Sequence, residues 1–102
     1  MNESVRIAAR EESGIVTAKV IIPHPSESGA RKDESGNIVP AHFIKTGTVT
    51  LNGSPLLDIQ LGPAVSKDPF LQFRFKGVKG DILKVLFLDS FNDQFAAETR
   101  VL

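Results

Sequence analysis

Apolar and polar residues alternate with a period of two over most of the chain, in short runs bounded by Gly, Pro, Asn and Asp. No window of a dozen residues carries a clean 3.6-residue apolar stripe. Residues 15–22 set Val16, Ala18, Val20 and Ile22 on one face against Thr17 and Lys19, and stop at Pro23, which cannot donate to a central ladder. Residues 43–51 put Phe43, Val49 and Leu51 on one side and Ile44, Thr46, Thr48 and Thr50 on the other, with Gly47 a candidate bulge. Asn52-Gly53 tolerates positive φ at both positions, which predicts a tight hairpin into a strand at 56–61 with Leu57, Ile59 and Leu61 on one face. Residues 62–69 break the pattern as a turn or a single helical turn. Beyond them Leu71, Phe73 and Phe75 alternate with Gln72, Arg74 and Lys76. A turn at 77–80 leads into Leu83, Val85 and Phe87 around Lys84, and the weaker alternation at 95–102 suits an edge or partner-facing strand.

With a short N-terminal run at 5–9 the pattern yields about seven strands, at turn spacings that predict an all-β, immunoglobulin-like antiparallel β-sandwich. Residues 1–102 are read as a single domain of this kind, with an inserted loop or hairpin at 23–42. The segment PHPSESGARKDESGNIVP at 23–40 is bracketed by prolines and dense in Ser, Gly and charge. A connection of that length within a compact domain is usually functional or has structure of its own. A tight turn at 33–36 between two short arms would make it a small hairpin standing off the sandwich.

Length and composition narrow the function. A chain of 102 residues supports one core, with about 65% of its surface buried on folding. Twelve Lys plus Arg balance twelve Asp plus Glu with the signs interspersed, which argues against nucleic acid or an anionic membrane as partner. The absence of Cys excludes a disulfide framework, a thiolate metal site, a CxxC redox motif and a cysteine nucleophile; with Trp also absent, seven Phe and the aliphatics must fill the core. The apolar runs at 20–22 and 85–88 are too short to cross a bilayer, and MNESVRIAAR has no apolar run of signal-peptide length.

Candidate chemistry concentrates in the 23–42 segment. His24 and His42 flank it with Glu27, Asp33 and Glu34 between, so a metal site or a general base is conceivable. The spacing matches no ligand motif, and a transition-metal site normally needs three or four convergent ligands. The plainer expectation is that both His cap turns or bond the loop backbone, with no cofactor and no metal. Ser26 lies in no nucleophile elbow. Asp58, Asp68, Asp81, Asp89 and Asp93 sit in or beside turns, where Asp bonds its own backbone two residues on, so paired-carboxylate catalysis is disfavoured. Arg31, Lys32 and Asp33 read as a solvated hairpin tip or a protein-docking element. Phe70, off the core-facing side of its strand, marks a possible interface.

The run His24-Pro25-Ser26-Glu27-Ser28-Gly29-Ala30-Arg31-Lys32-Asp33, then Gly36, then Ile38-Val39-Pro40-Ala41-His42-Phe43-Ile44, resembles the HPMETGxRKDxxGxxIPxxxI signature of the SoxZ family. Asn52-Gly53 and the 63–70 segment match that family's NG hairpin and its PxxSxNP[FY] turn, so the resemblance covers nearly the whole chain. Ser26 replaces the usual Met and Asp68 stands where Asn is common, an exchange the turn tolerates. The resemblance implies a non-catalytic subunit of the SoxYZ thiosulfate-oxidation carrier. Such a subunit binds SoxY in a heterodimer or higher hetero-oligomer and supports presentation of the sulfur substrate held on SoxY's cysteine to the pathway enzymes, which it touches transiently. It further implies a periplasmic location reached by co-export with SoxY, and a possible homodimer when isolated. His24, Glu27, Arg31, Asp33, Pro40, His42, Asp68 and Phe70 are the candidate partner contacts under this reading. The alternative is a small metal-binding or enzymatic β-domain that uses His24 and His42.

Overall fold

A computed structural model describes residues 5–24, 27–62 and 69–102. Seven antiparallel strands form two sheets, and no helix occurs among the described residues. β1 (Arg6–Glu12), β2 (Ile15–Ile21) and β5 (Phe70–Lys76) make a three-stranded sheet in the order β1-β2-β5. β4 (Ser54–Gln60), β3 (Ile44–Leu51), β6 (Ile82–Asp89) and β7 (Gln94–Arg100) make the other, in the order β4-β3-β6-β7. This is the β-sandwich that the alternation predicts.

The core lies between the sheets. Val16, Ala18, Val20 and Ile22 face Val49, Leu83, Val85 and Phe87, all without solvent exposure. At about 25 cal/mol per Å², each large apolar side chain buried here contributes roughly 1.5–3 kcal/mol. Leu71, Phe73 and Phe75 pack against this core from β5.

Three local expectations change. Gly47 is not a bulge: it pairs regularly with Ile59 and Phe87, and the register shifts lie on either side, at Ile44/Thr46 and Val49/Thr50. The first shift reverses the facing of the residues before it, so Ile44 enters the core rather than the threonine face. The second leaves Leu56 packed on the core and Leu57 39% exposed, although alternation alone turns Leu57 inward. Gly47 is there for space, because a Cβ would meet the Phe87 ring at 2.5 Å.

Asn52-Gly53 forms the expected hairpin, with φ of 52° and 84°. Ser13-Gly14, with φ of 54° and 82°, makes a second one and extends β1 beyond the short run at 5–9. The chain end after β7 crosses to the other sheet, where the Leu102 amide donates to the Ala9 carbonyl and the Glu11 amide donates to the Leu102 carbonyl. β7 is therefore an edge strand of its own sheet, and the residues after it close one side of the sandwich against β1.

The described residues of the 23–42 segment form a hairpin arm. Isolated bridges join Glu27 to His42 and Lys32 to Ile38, and the Val39 amide donates to the Arg31 carbonyl. The Asp33 carboxylate accepts from the Ser35 and Asn37 amides, which closes the tip as expected. The molecule measures 54 × 23 × 20 Å, an elongation that suits an arm projecting from the sandwich.

Candidate functional site: the root of the arm and the outer face of the small sheet

The arm leaves β2 at His24 and rejoins β3 after His42, so its two histidines sit at its root. Both rings turn inward onto one carboxylate. His24 Nε2 lies 3.1 Å and His42 Nε2 2.8 Å from Asp89 Oδ2. An ionised carboxylate only accepts, so each ring presents Nε2–H. The other oxygen, Oδ1, accepts from the Phe91 and Asp93 amides at 2.9 Å each. His24 and Asp89 are buried, and the His42 side chain is 25% exposed.

Aromatic contacts fix the rings. Phe91 stacks on His42 at 4.0 Å between centroids, Phe95 meets His24 edge-on at 5.7 Å, and the two imidazoles touch edge-to-face at 4.4 Å. Burial by itself raises the Asp89 pKa. The bonds from His24, His42, Asp93 and Phe91 outweigh that and hold it below the ordinary carboxylate value.

The expectation that the histidines bond loop backbone is thus corrected for their Nε2 atoms, which bond a carboxylate from β6. Asp89 behaves as a turn Asp only through Oδ1. Sequence reasoning misses its second role, although one signal points to an inward-facing position: Leu83, Val85 and Phe87 are core-facing, and two residues further the same face carries Asp89.

The other candidates separate. Glu27 accepts from Arg31 at 2.7 Å, which lowers the carboxyl's pKa, and its backbone pairs with His42. Neither Glu27 nor Asp33 joins the histidines: Glu27 braces the arm and Asp33 shapes its tip. Glu34 and Pro40 are exposed along the arm, and Ile38 at its far end is 63% exposed. Ser26, Asp68 and the turn at 63–68 lie outside the described residues.

Phe70 projects from the outer face of the small sheet, 55% exposed, directly across from Ile21. Folding also sorts the charges. The register places Arg6, Arg10, Lys19, Arg74 and Lys76 on that face against Glu12 alone. The signs are interspersed along the chain but not on the surface, because alternate residues of neighbouring strands share a face. Among the described residues no ion pair neutralises these five cations. Small side chains at Ala8 and Thr17 leave a shallow hollow of ≈ 260 Å³ beside Arg10 and Lys19.

Two antiparallel sheets and a projecting arm tied at its root define an all-β sandwich with the immunoglobulin-like layout. Residues 5–100 match the family described as "Sulphur oxidation protein SoxZ", and the chain belongs to that family, whose role is in sulfur oxidation within the Sox system. No curated protein sequence matches the chain significantly. Among solved structures, the fold is similar to superoxide reductase (neelaredoxin) from Ignicoccus hospitalis, at 17% identity and a TM-score of 0.69, covering 97% of this chain and 79% of that one. Superoxide reductase (neelaredoxin) from Archaeoglobus fulgidus in the reduced form gives 19% identity and 0.69, covering 99% and 90%. A hypothetical protein from Pyrococcus horikoshii gives 18% and 0.68, covering 98% and 88%. At these identities the likeness is one of fold.

Proposed function

We propose that this chain is the non-catalytic subunit of a SoxYZ-type carrier: it binds SoxY and supports presentation of the sulfur carried on SoxY's cysteine to the enzymes of thiosulfate oxidation. The observation that carries the reading is the family match across residues 5–100. The absence of cysteine fits it, because a thiol carrier chemistry then resides on the partner. The complex works in the periplasm, and the chain reaches it together with SoxY.

Two surfaces are offered for contacts. The arm presents Arg31, Pro40 and Ile38 clear of the sandwich, on a root fixed by Asp89. The outer face of β1, β2 and β5 combines the Phe70–Ile21 pair with five cations, a composition suited to an aromatic anchor within a basic rim. An acidic surface on a partner protein complements it. Without SoxY, the apolar groups of these surfaces favour weak self-association into a homodimer.

Calorimetric titration of SoxY into the purified chain tests the proposal. A saturable 1:1 complex is expected, weakened when Phe70→Ala and Lys19→Glu are combined. A chain that gives no heat with SoxY at any salt concentration overturns it.

A further inference from the structure

The root of the arm has the makings of a metal centre, on grounds independent of the carrier reading. We propose that His24 Nε2, His42 Nε2 and Asp89 Oδ2 bind one divalent first-row transition cation, with water in the remaining positions. The three atoms come from the end of β2, the start of β3 and the end of β6, and lie within 4.8 Å of one another. Two of their separations are 2.8 and 3.1 Å. An ion with bonds of roughly 2.0–2.2 Å, at angles from octahedral to tetrahedral, spaces its donors by about 2.8–3.6 Å. The two N···O separations already fit, while the third edge of the triangle, at up to 4.8 Å, closes by up to about 1.2 Å as the imidazoles turn toward the ion. Two imidazoles and one carboxylate on one side of an ion are a donor set for zinc or iron(II).

The surroundings are those of a held ligand set. Asp89 Oδ1 is engaged by the Phe91 and Asp93 amides, which fix the carboxylate plane and leave Oδ2 as the donor atom. Phe91 and Phe95 fix the two ring orientations. The partly exposed His42, beside a half-exposed Phe91, gives an approach from solvent.

Binding replaces the two N–H···O bonds. Each Nε2 gives up its proton and its lone pair goes to the ion, the proton exchange running by way of the partly exposed His42 edge. Glu27, Asp33 and Glu34 take no part, so the ligands are not the carboxylates nearest in sequence.

The test is equilibrium dialysis of the untagged full chain against Zn²⁺ near neutral pH, with the absorption spectrum of the Co²⁺ form as a second readout. One ion per chain is expected, with affinity falling about 100-fold or more in His42→Ala and unchanged in Glu34→Gln. His42 is the first choice because it is partly exposed; circular dichroism checks that the variant is folded, and His24→Gln is the second variant. Visible Co²⁺ bands of nitrogen ligation, lost in His42→Ala, support the site. No retained Zn²⁺, Zn²⁺ binding that survives His42→Ala, or a Co²⁺ spectrum indistinguishable from the hydrated ion overturns it.

Discussion

Replacing Asp89 by Ala removes the one side chain to which both ends of the arm are tied. Four hydrogen bonds vanish together: those from His24, His42, Phe91 and Asp93. His24 lies in the interior, so its Nε2–H loses its carboxylate partner out of reach of water, at about 1–3 kcal/mol. The other three donors lie nearer solvent and recover part of their loss, at about 0.5–1 kcal/mol each. The sum is about 2.5–6 kcal/mol, which spans the range for breaking one side of a buried charged pair. For a domain of this size it lowers Tm by at least about 10 °C. Asp89→Asn costs less, about 1–2 kcal/mol, because its amide oxygen still accepts from Phe91 and Asp93 and its NH2 can donate to the imidazoles in their other tautomer. Urea unfolding followed by far-UV circular dichroism suits a chain with neither Trp nor Tyr. A loss below about 1 kcal/mol for Ala, or equal losses for Ala and Asn, would refute the reasoning.

Other consequences follow from single contacts. Gly47→Ala drives a Cβ to 2.5 and 2.7 Å from Phe87 ring carbons and should cost about 1–3 kcal/mol, most of it recovered in the double variant with Phe87→Leu. Urea midpoints of the single and double variants check this. The Asp81 carboxyl accepts from the Val78 amide and Asn52 Nδ2, and these bonds hold its pKa below the ordinary 3.8. The stability it contributes is therefore present above pH 3.8 and lost as pH falls through its folded-state value. The stability difference between the wild type and Asp81→Asn should vanish in that acid window, and a difference constant with pH removes the assignment. Charge reversal at Lys19 and Arg74 should leave the fold intact while slowing association with an acidic partner. The slowing should shrink as salt is raised, which stopped-flow kinetics would show.

Much of this fold is written in short-range pattern. The hairpin at Asn52-Gly53, the core sides of β2, β5 and β6, and the tip of the arm at Asp33 all follow from alternation and turn chemistry. The facings of Ile44 and Leu57 do not, because each lies beside a register shift, and one inserted residue reverses the alternation on which such an inference depends. The site at the arm's root was half visible. His24 and His42 stand out at the ends of an unusual segment, but their shared partner lies 65 and 47 residues away. Only a strand register brings Asp89 to them. The basic face was hidden for the same reason: a net charge of zero says nothing about which cations neighbouring strands place side by side.

Pairing with SoxY in a two-chain carrier is the central proposal. Sedimentation velocity of the chain mixed with SoxY addresses that directly. A single boundary at the mass of a 1:1 complex or a multiple of it is predicted, and it should persist in Asp89→Asn as long as the arm remains folded. Two independent boundaries, each at the position of its isolated component across the micromolar range, would contradict the central claim.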